Sequence, residues 1–327
     1  MTKKKISRYI AFFAALIFSG LILSGSSFAD KVIRDSVDYS MALNKKNISI
    51  PRNIILIGWD GAGREIIKEL MKQGKLPNLQ KLSQEGGFVD IDITNRTDTK
   101  AGWAEILTGY DYRITGVYDN YHFASVPDGY TILERVQKFY GASHIAVVAV
   151  IGKPFNLDAD KVNDPYFHVK GDLDVWDSGK MRGNYIVRDK AMRYLSDFGD
   201  VGTFYFFHFG LADCDGHRFG SNSAEYINAV ISYDDALGRI MDKLKELNIY
   251  NSTIIYVTAD HGFDNEPNPF PKLGTHKNAP AVFLVANDKT LVKRTGNRLD
   301  IAPTILKRWG IDIKKIKPPL PGSPLTE

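Results

Sequence analysis

At 327 residues and 44% apolar composition, the chain can bury a substantial core, as one large α/β domain or two ordinary ones. Its net charge of +4 resides in the first 29 residues, which carry four basic and no acidic side chains; 38 residues of each sign remain beyond them, so the balance gives no support to a nucleic-acid-binding surface. The single cysteine, Cys214, excludes any intramolecular disulfide.

Lys3, Lys4, Lys5 and Arg8 precede an apolar run over 10–23, followed by small residues and by Ser27-Phe28-Ala29. That order predicts a secretory signal over 1–29, cut after Ala29, and an exported protein, periplasmic or secreted. The alternative is an uncleaved membrane anchor, for which the run is short. No cysteine follows the run, so lipoprotein attachment has no support. Residues 30–52 are polar and aperiodic, a lead-in to a domain over 53–327.

Continuous apolar runs at 53–58, 144–151, 202–209, 253–258 and 279–286 read as strands buried on both faces. Helical spacing over 61–70, 131–139, 186–198, 224–247 and 300–309 lies between and after them. The alternation predicts a three-layer α/β/α sandwich around a mostly parallel sheet. The loop-rich stretch 152–184, with Pro154, Pro165 and several glycines, reads as an insertion capping the crevice.

In such a sheet ligands bind beyond the carboxyl ends of the strands. Asp60 directly follows the first run, though one aspartate there is equally a turn former or helix cap. Asp213-Cys214-Asp215-Gly216-His217 follows the third run, Asp260-His261-Gly262 the fourth, and His276 lies ahead of the fifth. Six donors from four loops thus converge on one sheet edge, a mixture of oxygen and nitrogen that suits Zn²⁺, with Mn²⁺ as the other choice. His122, His144, His168 and His208 have no carboxylate at comparable spacing and are left outside the set. Thr99 opens a helix in Thr97-Asp98-Thr99-Lys100-Ala101-Gly102, where a phosphate would meet free N–H groups. Its hydroxyl is also what a helix N-cap requires.

Together these pieces resemble the alkaline phosphatase superfamily, most closely its nucleotide pyrophosphatase/phosphodiesterase branch. The likeness rests on Asp60-Gly61, on Thr99 nine residues before Thr108-Gly109, on Asp213-x-x-Gly216-His217, Asp260-His261-Gly262 and His276, and on the closing 300–306 segment. It implies two divalent ions, one held by Asp60, Thr99, Asp260 and His261 and the other by Asp213, His217 and His276. It further implies a Thr99 nucleophile, a phosphothreonine intermediate, a small phosphate-ester substrate and activity rising toward alkaline pH. Asn120 stands where phosphodiesterase relatives bind a phosphoryl oxygen, and a turn-forming asparagine is the equal alternative. Lys100 is a second candidate for substrate binding, with a solvated surface lysine as its plain alternative. Trp59, Trp103, Tyr118 and Tyr121 are candidates either to hold an organic leaving group or to pack the core.

A sulfatase is disfavoured because position 99 is threonine, and Ala101 and Trp103 stand where that motif has proline and arginine. The phosphoglycerate mutase branch usually has a serine nucleophile and a large inserted domain, neither evident here. A phosphomonoesterase, a phosphonate hydrolase or a phosphotransferase would use the same centre. A non-catalytic metal-containing binding protein is the alternative of another class.

Overall fold

Seven consecutive buried residues, Asn53–Trp59, form β1, the strand around which the sheet is built. The computed structural model describes residues 51–264, 275–279 and 281–327; the leader 1–29 and nearly all of the lead-in 30–52 lie outside the described residues. After β1 come helices α1 (Arg64–Lys72) and α2 (Pro77–Glu85), strand β2 (Gly87–Asp92), and helices α3 (Thr99–Thr108), α4 (Tyr112–Thr115) and α5 (Ile132–Tyr140). Strand β3 (Ala146–Ile151), helix α6 (Val169–Asp172), strand β4 (Val175–Asp177) and helix α7 (Asn184–Phe198) come next. The remaining elements are β5 (Thr203–Phe209), α8 (Leu211–Phe219), α9 (Ala224–Glu246), β6 (Thr253–Thr258), β7 (Ala281–Ala286), β8 (Gly296–Asn297) and α10 (Ile301–Arg308).

The strands form one sheet in the order β4-β3-β5-β1-β6-β7-β2-β8. Every pairing is parallel except those of β7, which runs antiparallel to both β6 and β2. Side chains of adjacent strand residues point to opposite faces, and β1 displays the consequence. A Cβ on Gly58 would meet the Trp103 ring of α3, while the next residue, Trp59, packs against Tyr233 of α9 at 5.6 Å between ring centroids. Helix α3 therefore covers one face and α9 the other, giving the three layers.

The five apolar runs are all strands, within two residues of the expected limits. Strands β2 and β4 and helices α2 and α8 carry no continuous apolar run and add to the expected set. The stretch 152–184 contributes β4, an edge strand paired to β3, as well as loop. Trp59 and Trp103 are fully buried in the core, which settles their role as packing, whereas Tyr118 and Tyr121 are exposed. Among the described residues no helix is long and apolar enough to cross a membrane.

Candidate metal centre and nucleophile

Parallel strands β5, β1 and β6 end side by side, and their first residues beyond the sheet make the site. Asp60 follows β1 directly and stays in register by donating its N–H to the Phe209 carbonyl at 3.0 Å. The chain then turns through Gly61, whose φ of +79° favours glycine. A Cβ there would also lie 2.8 Å from the Asp213 Cα, so the glycine lets the ends of β1 and β5 close on each other. The Gly61 N–H donates to Asp260 Oδ1 at 3.3 Å, joining the β1 and β6 corners.

Asp213 and His217 lie on α8 rather than in a loop, as the sequence had suggested. Four residues apart, they share one helix face, with His217 Nε2 3.5 Å from Asp213 Oδ1. His261 is fully buried, its Nε2 3.4 Å from Asp260 Oδ2 and 3.5 Å from both Asp60 Oδ1 and Asp213 Oδ1. His276 stacks on His261 at 4.0 Å between centroids and meets His217 edge-on at 5.1 Å. The six donors expected from the sequence are thus brought together.

Thr99 is the first residue of α3; the cap position belongs to Asp98. Its Oγ1 lies 3.1 Å from His261 Nε2. Asn120 turns its Oδ1 to the same helix start, accepting from the Lys100 N–H at 2.9 Å and from Asn156 Nδ2 at 3.3 Å. The Lys100 ammonium lies over the Phe123 ring, 3.7 Å from its centroid. Burial lowers its pKa, against the pull of Asp164.

Two residues that sequence reasoning left aside complete the centre. Lys153 is the second residue beyond β3 and is almost fully buried; its Nζ contacts Asp213 Oδ2 and lies 3.2 Å from Asp60 Oδ2 and 3.5 Å from Thr99 Oγ1. It is the cation beside Thr99. Its place at a strand's carboxyl end was the signal available, masked by the loop-like composition of the 152–184 stretch around it. His208, the penultimate residue of β5, sets Nε2 3.2 Å from Asp60 Oδ2, in the interior behind the site. Cys214 is half-buried beside Met181, its thiol pushed up to about 12 by burial.

The donors fit divalent ions. Asp60 Oδ1, Asp213 Oδ1, Asp260 Oδ2 and His276 Nδ1 are buried yet have no hydrogen-bond partner among the described residues, a state that buried polar atoms avoid unless something else binds there. Asp60, Asp213 and His261 form one group of converging ligand atoms, and Asp213, His217 and His276 another. Burial lowers the pKa of His261 and of His276, keeping both imidazoles neutral as ligation requires. Burial alone would raise the Asp213 carboxyl, but the Lys153 ammonium against it holds it below the ordinary range. Asp260 is raised by burial and by Asp60 beside it, a repulsion that added positive charge would relieve.

Beside the centre a groove of about 500 Å³ is lined by residues 95–98 together with His217, Thr275, His276, Lys277 and Asn278. It opens from the second donor group toward Arg96, whose guanidinium lies 4.9 Å from the centroid of the Tyr118 ring.

Residues 54–305 match the family model of type I phosphodiesterase/nucleotide pyrophosphatase. A 2,3-bisphosphoglycerate-independent phosphoglycerate mutase of Malacoplasma penetrans is 32% identical over 132 residues, 39% of this chain and 24% of the mutase. Ectonucleotide pyrophosphatase/phosphodiesterase family member 3 of Mus musculus is 30% identical over 118 residues, 30% of this chain and 14% of the mouse protein. The chain therefore matches less than a quarter of the length of these curated relatives. Among solved structures, murine ectonucleotide pyrophosphatase/phosphodiesterase 5 superposes with a TM-score of 0.60 at 15% identity, covering 83% of this chain and 97% of that one. At that identity the likeness is one of fold.

Proposed function

Because the chain belongs to the type I phosphodiesterase/nucleotide pyrophosphatase family, we propose that it hydrolyses a phosphate ester, a diester by preference, through Thr99 at a two-metal centre. The observation that carries this reading is the position of the Thr99 hydroxyl: it opens α3 next to His261 Nε2, beside three buried carboxylates that keep oxygens without partners. A hydroxyl needed only to cap a helix would sit one residue earlier. Asp60, Thr99, Asp260 and His261 would hold one ion, and Asp213, His217 and His276 the other. Such ions supply Lewis-acid charge that lowers the pKa of a hydroxyl or a water and neutralises phosphoryl oxygens. Zn²⁺ suits the mixed donors best, with Mn²⁺ second.

Thr99 Oγ1 gives up its proton to solvent and forms a bond to phosphorus, in line with the departing ester oxygen. That oxygen leaves with the bonding pair and is protonated by water. The phosphothreonine is then cleaved by water, which restores the hydroxyl. The start of α3 orients the equatorial oxygens through N–H groups that have no intrahelical partner. Asn120 contributes from its amide nitrogen, since its carbonyl oxygen faces the helix. Lys100 acts from farther off, over Phe123.

The diester preference is supported by the family; the murine neighbour, solved as an inactive threonine-to-alanine variant in complex with AMP, supports a small phosphate-ester ligand. The likeness to the phosphoglycerate mutase favours a monoester as the second reading. We also read the protein as exported, with a mature N-terminus at Asp30, which sequencing the purified protein's N-terminus tests.

The decisive experiment measures metal per chain and compares bis-p-nitrophenyl phosphate, p-nitrophenyl phosphate and p-nitrophenyl sulfate as substrates for the wild type and Thr99→Ala. The expected result is about two ions per chain and a loss of ester turnover on the order of 10³-fold or more in the variant. Turnover indifferent to Thr99→Ala would sink the reading, and the ratio of diester to monoester rates selects between its two forms.

A further inference from the structure

Lys153 is a charge that the two-metal reading does not call for. Its placement is built into the fold: a Cβ on Gly210 would stand 2.6 Å from the Lys153 Cβ, so the glycine that ends β5 makes room for the lysine stem. The ammonium takes one oxygen, Oδ2, from each of Asp60 and Asp213. The other oxygen of each, Oδ1, faces His261 Nε2 at 3.5 Å and is one of the buried atoms without a hydrogen-bond partner. Lys153 thus occupies the Oδ2 oxygens of the two carboxylates, and their Oδ1 oxygens are left for divalent ions.

Three buried carboxylates meet one buried ammonium in this centre. With the ammonium present the donors are less negative than the same set without it, and it repels any cation a few ångströms away at a distance where little water screens the pair. The same positive charge, 3.5 Å from Thr99 Oγ1, favours negative charge on that oxygen.

We propose that Lys153 is a third, tethered cation of the centre, holding Asp60 and Asp213 by one oxygen each, weakening their grip on divalent ions and adding positive charge beside the Thr99 oxygen. This rests on the phosphoryl-transfer reading above. The two effects have opposite signs in one substitution, which separates them from a purely structural role.

The test compares the full chain with Lys153→Met, which keeps length and bulk, and with Lys153→Arg, which keeps charge. Zn²⁺ affinity is read by competition with a chromophoric chelator, and kcat and KM for bis-p-nitrophenyl phosphate are read at saturating Zn²⁺. Lys153→Met should bind Zn²⁺ about tenfold more tightly or better, while its kcat falls by about tenfold or more. Lys153→Arg should stay closer to the wild type in both. Zn²⁺ affinity that is unchanged or weaker in Lys153→Met, or an undiminished kcat, overturns the proposal. Should Lys153→Met fail to fold, Lys153→Gln carries the same comparison. Thr99→Ala assayed alongside keeps the two readings apart, because its activity judges the nucleophile whereas the Zn²⁺ comparison judges Lys153 without any turnover.

Discussion

Arg298 is fully buried and touches three things at once. Its Nη2 pairs with Glu105 Oε2 at 2.6 Å and donates to the Arg96 carbonyl, while its Nη1 donates to the main-chain oxygen of Asp260 at 2.6 Å. It therefore fixes the backbone of a metal-ligand candidate from behind. Burial raises the Glu105 carboxyl despite the nearby guanidinium, so Glu105 depends on that partner to remain ionised. Removing one member of a buried pair is far costlier than replacing both, and Arg298→Met is expected to lose about 3–5 kcal/mol of stability. Arg298→Met combined with Glu105→Leu should recover a substantial part of the loss, which urea denaturation of the two variants measures. A single variant as stable as the wild type would show that the pair is dispensable. This residue was not legible in the sequence, because its partners lie far along the chain and nothing local marks Arg298 as buried.

At the scale of elements, α2 begins without a side-chain cap of its own. Asp234, from α9, supplies one: Oδ1 accepts from the Leu79 N–H at 2.7 Å and Oδ2 from the Asn78 N–H at 3.1 Å. Asp234→Ala should cost about 1–2 kcal/mol, the range of a lost helix cap, and thermal denaturation would register it as a drop of a few degrees. Asp177, at the end of β4, ties that edge strand to α7 through Lys190 at 2.6 Å and the Tyr194 hydroxyl at 2.8 Å, with Arg182 at 2.7 Å. Burial would raise its carboxyl, but these partners hold it below the ordinary value. A depressed carboxylate contributes stability that is present above its unfolded pKa and is lost as pH falls through the folded one. The melting-temperature gap between wild type and Asp177→Asn should thus be widest near neutrality and narrow below about pH 4; a pH-independent gap would contradict it. Neither β4 nor β2 could be read beforehand. The sequence reveals strands whose two faces are both buried, such as β1 and β5, whereas Gly87–Asp92 mixes charge into a half-buried strand. Helix α8 was hidden for a related reason: its nine residues include Asp213, Asp215, His217 and Arg218, which describe a ligand set better than an amphipathic face.

For the molecule as a whole, the parallel order of β5, β1 and β6 brings positions 60, 213 and 260 together. The donor motifs were legible for that reason: a residue directly beyond a buried parallel strand has one place to go, and its neighbours in the sheet determine its company. Lys153 stands on the same edge but belongs to no motif, and His208 lies one residue inside its strand, so neither could be assigned without the register. Carboxylates crowded in this way oppose folding unless positive charge joins them, and Asp260, raised above the usual range by burial first and by Asp60 second, points the same way. Bound ions should therefore stabilise the fold in proportion to the logarithm of their free concentration. At a hundredfold excess over the dissociation constant one site adds about 2.7 kcal/mol, which for a domain of this size corresponds to roughly 5–10 °C in melting temperature. A scan of melting temperature against Zn²⁺, beginning from chelator-treated protein, should rise by at least that amount. In Asp60→Asn, which removes charge from one donor group, and in Asp213→Asn, which removes it from both, the rise should be smaller, whereas a flat scan in the wild type would mean that these carboxylates bind no ion and that Lys153 alone balances them.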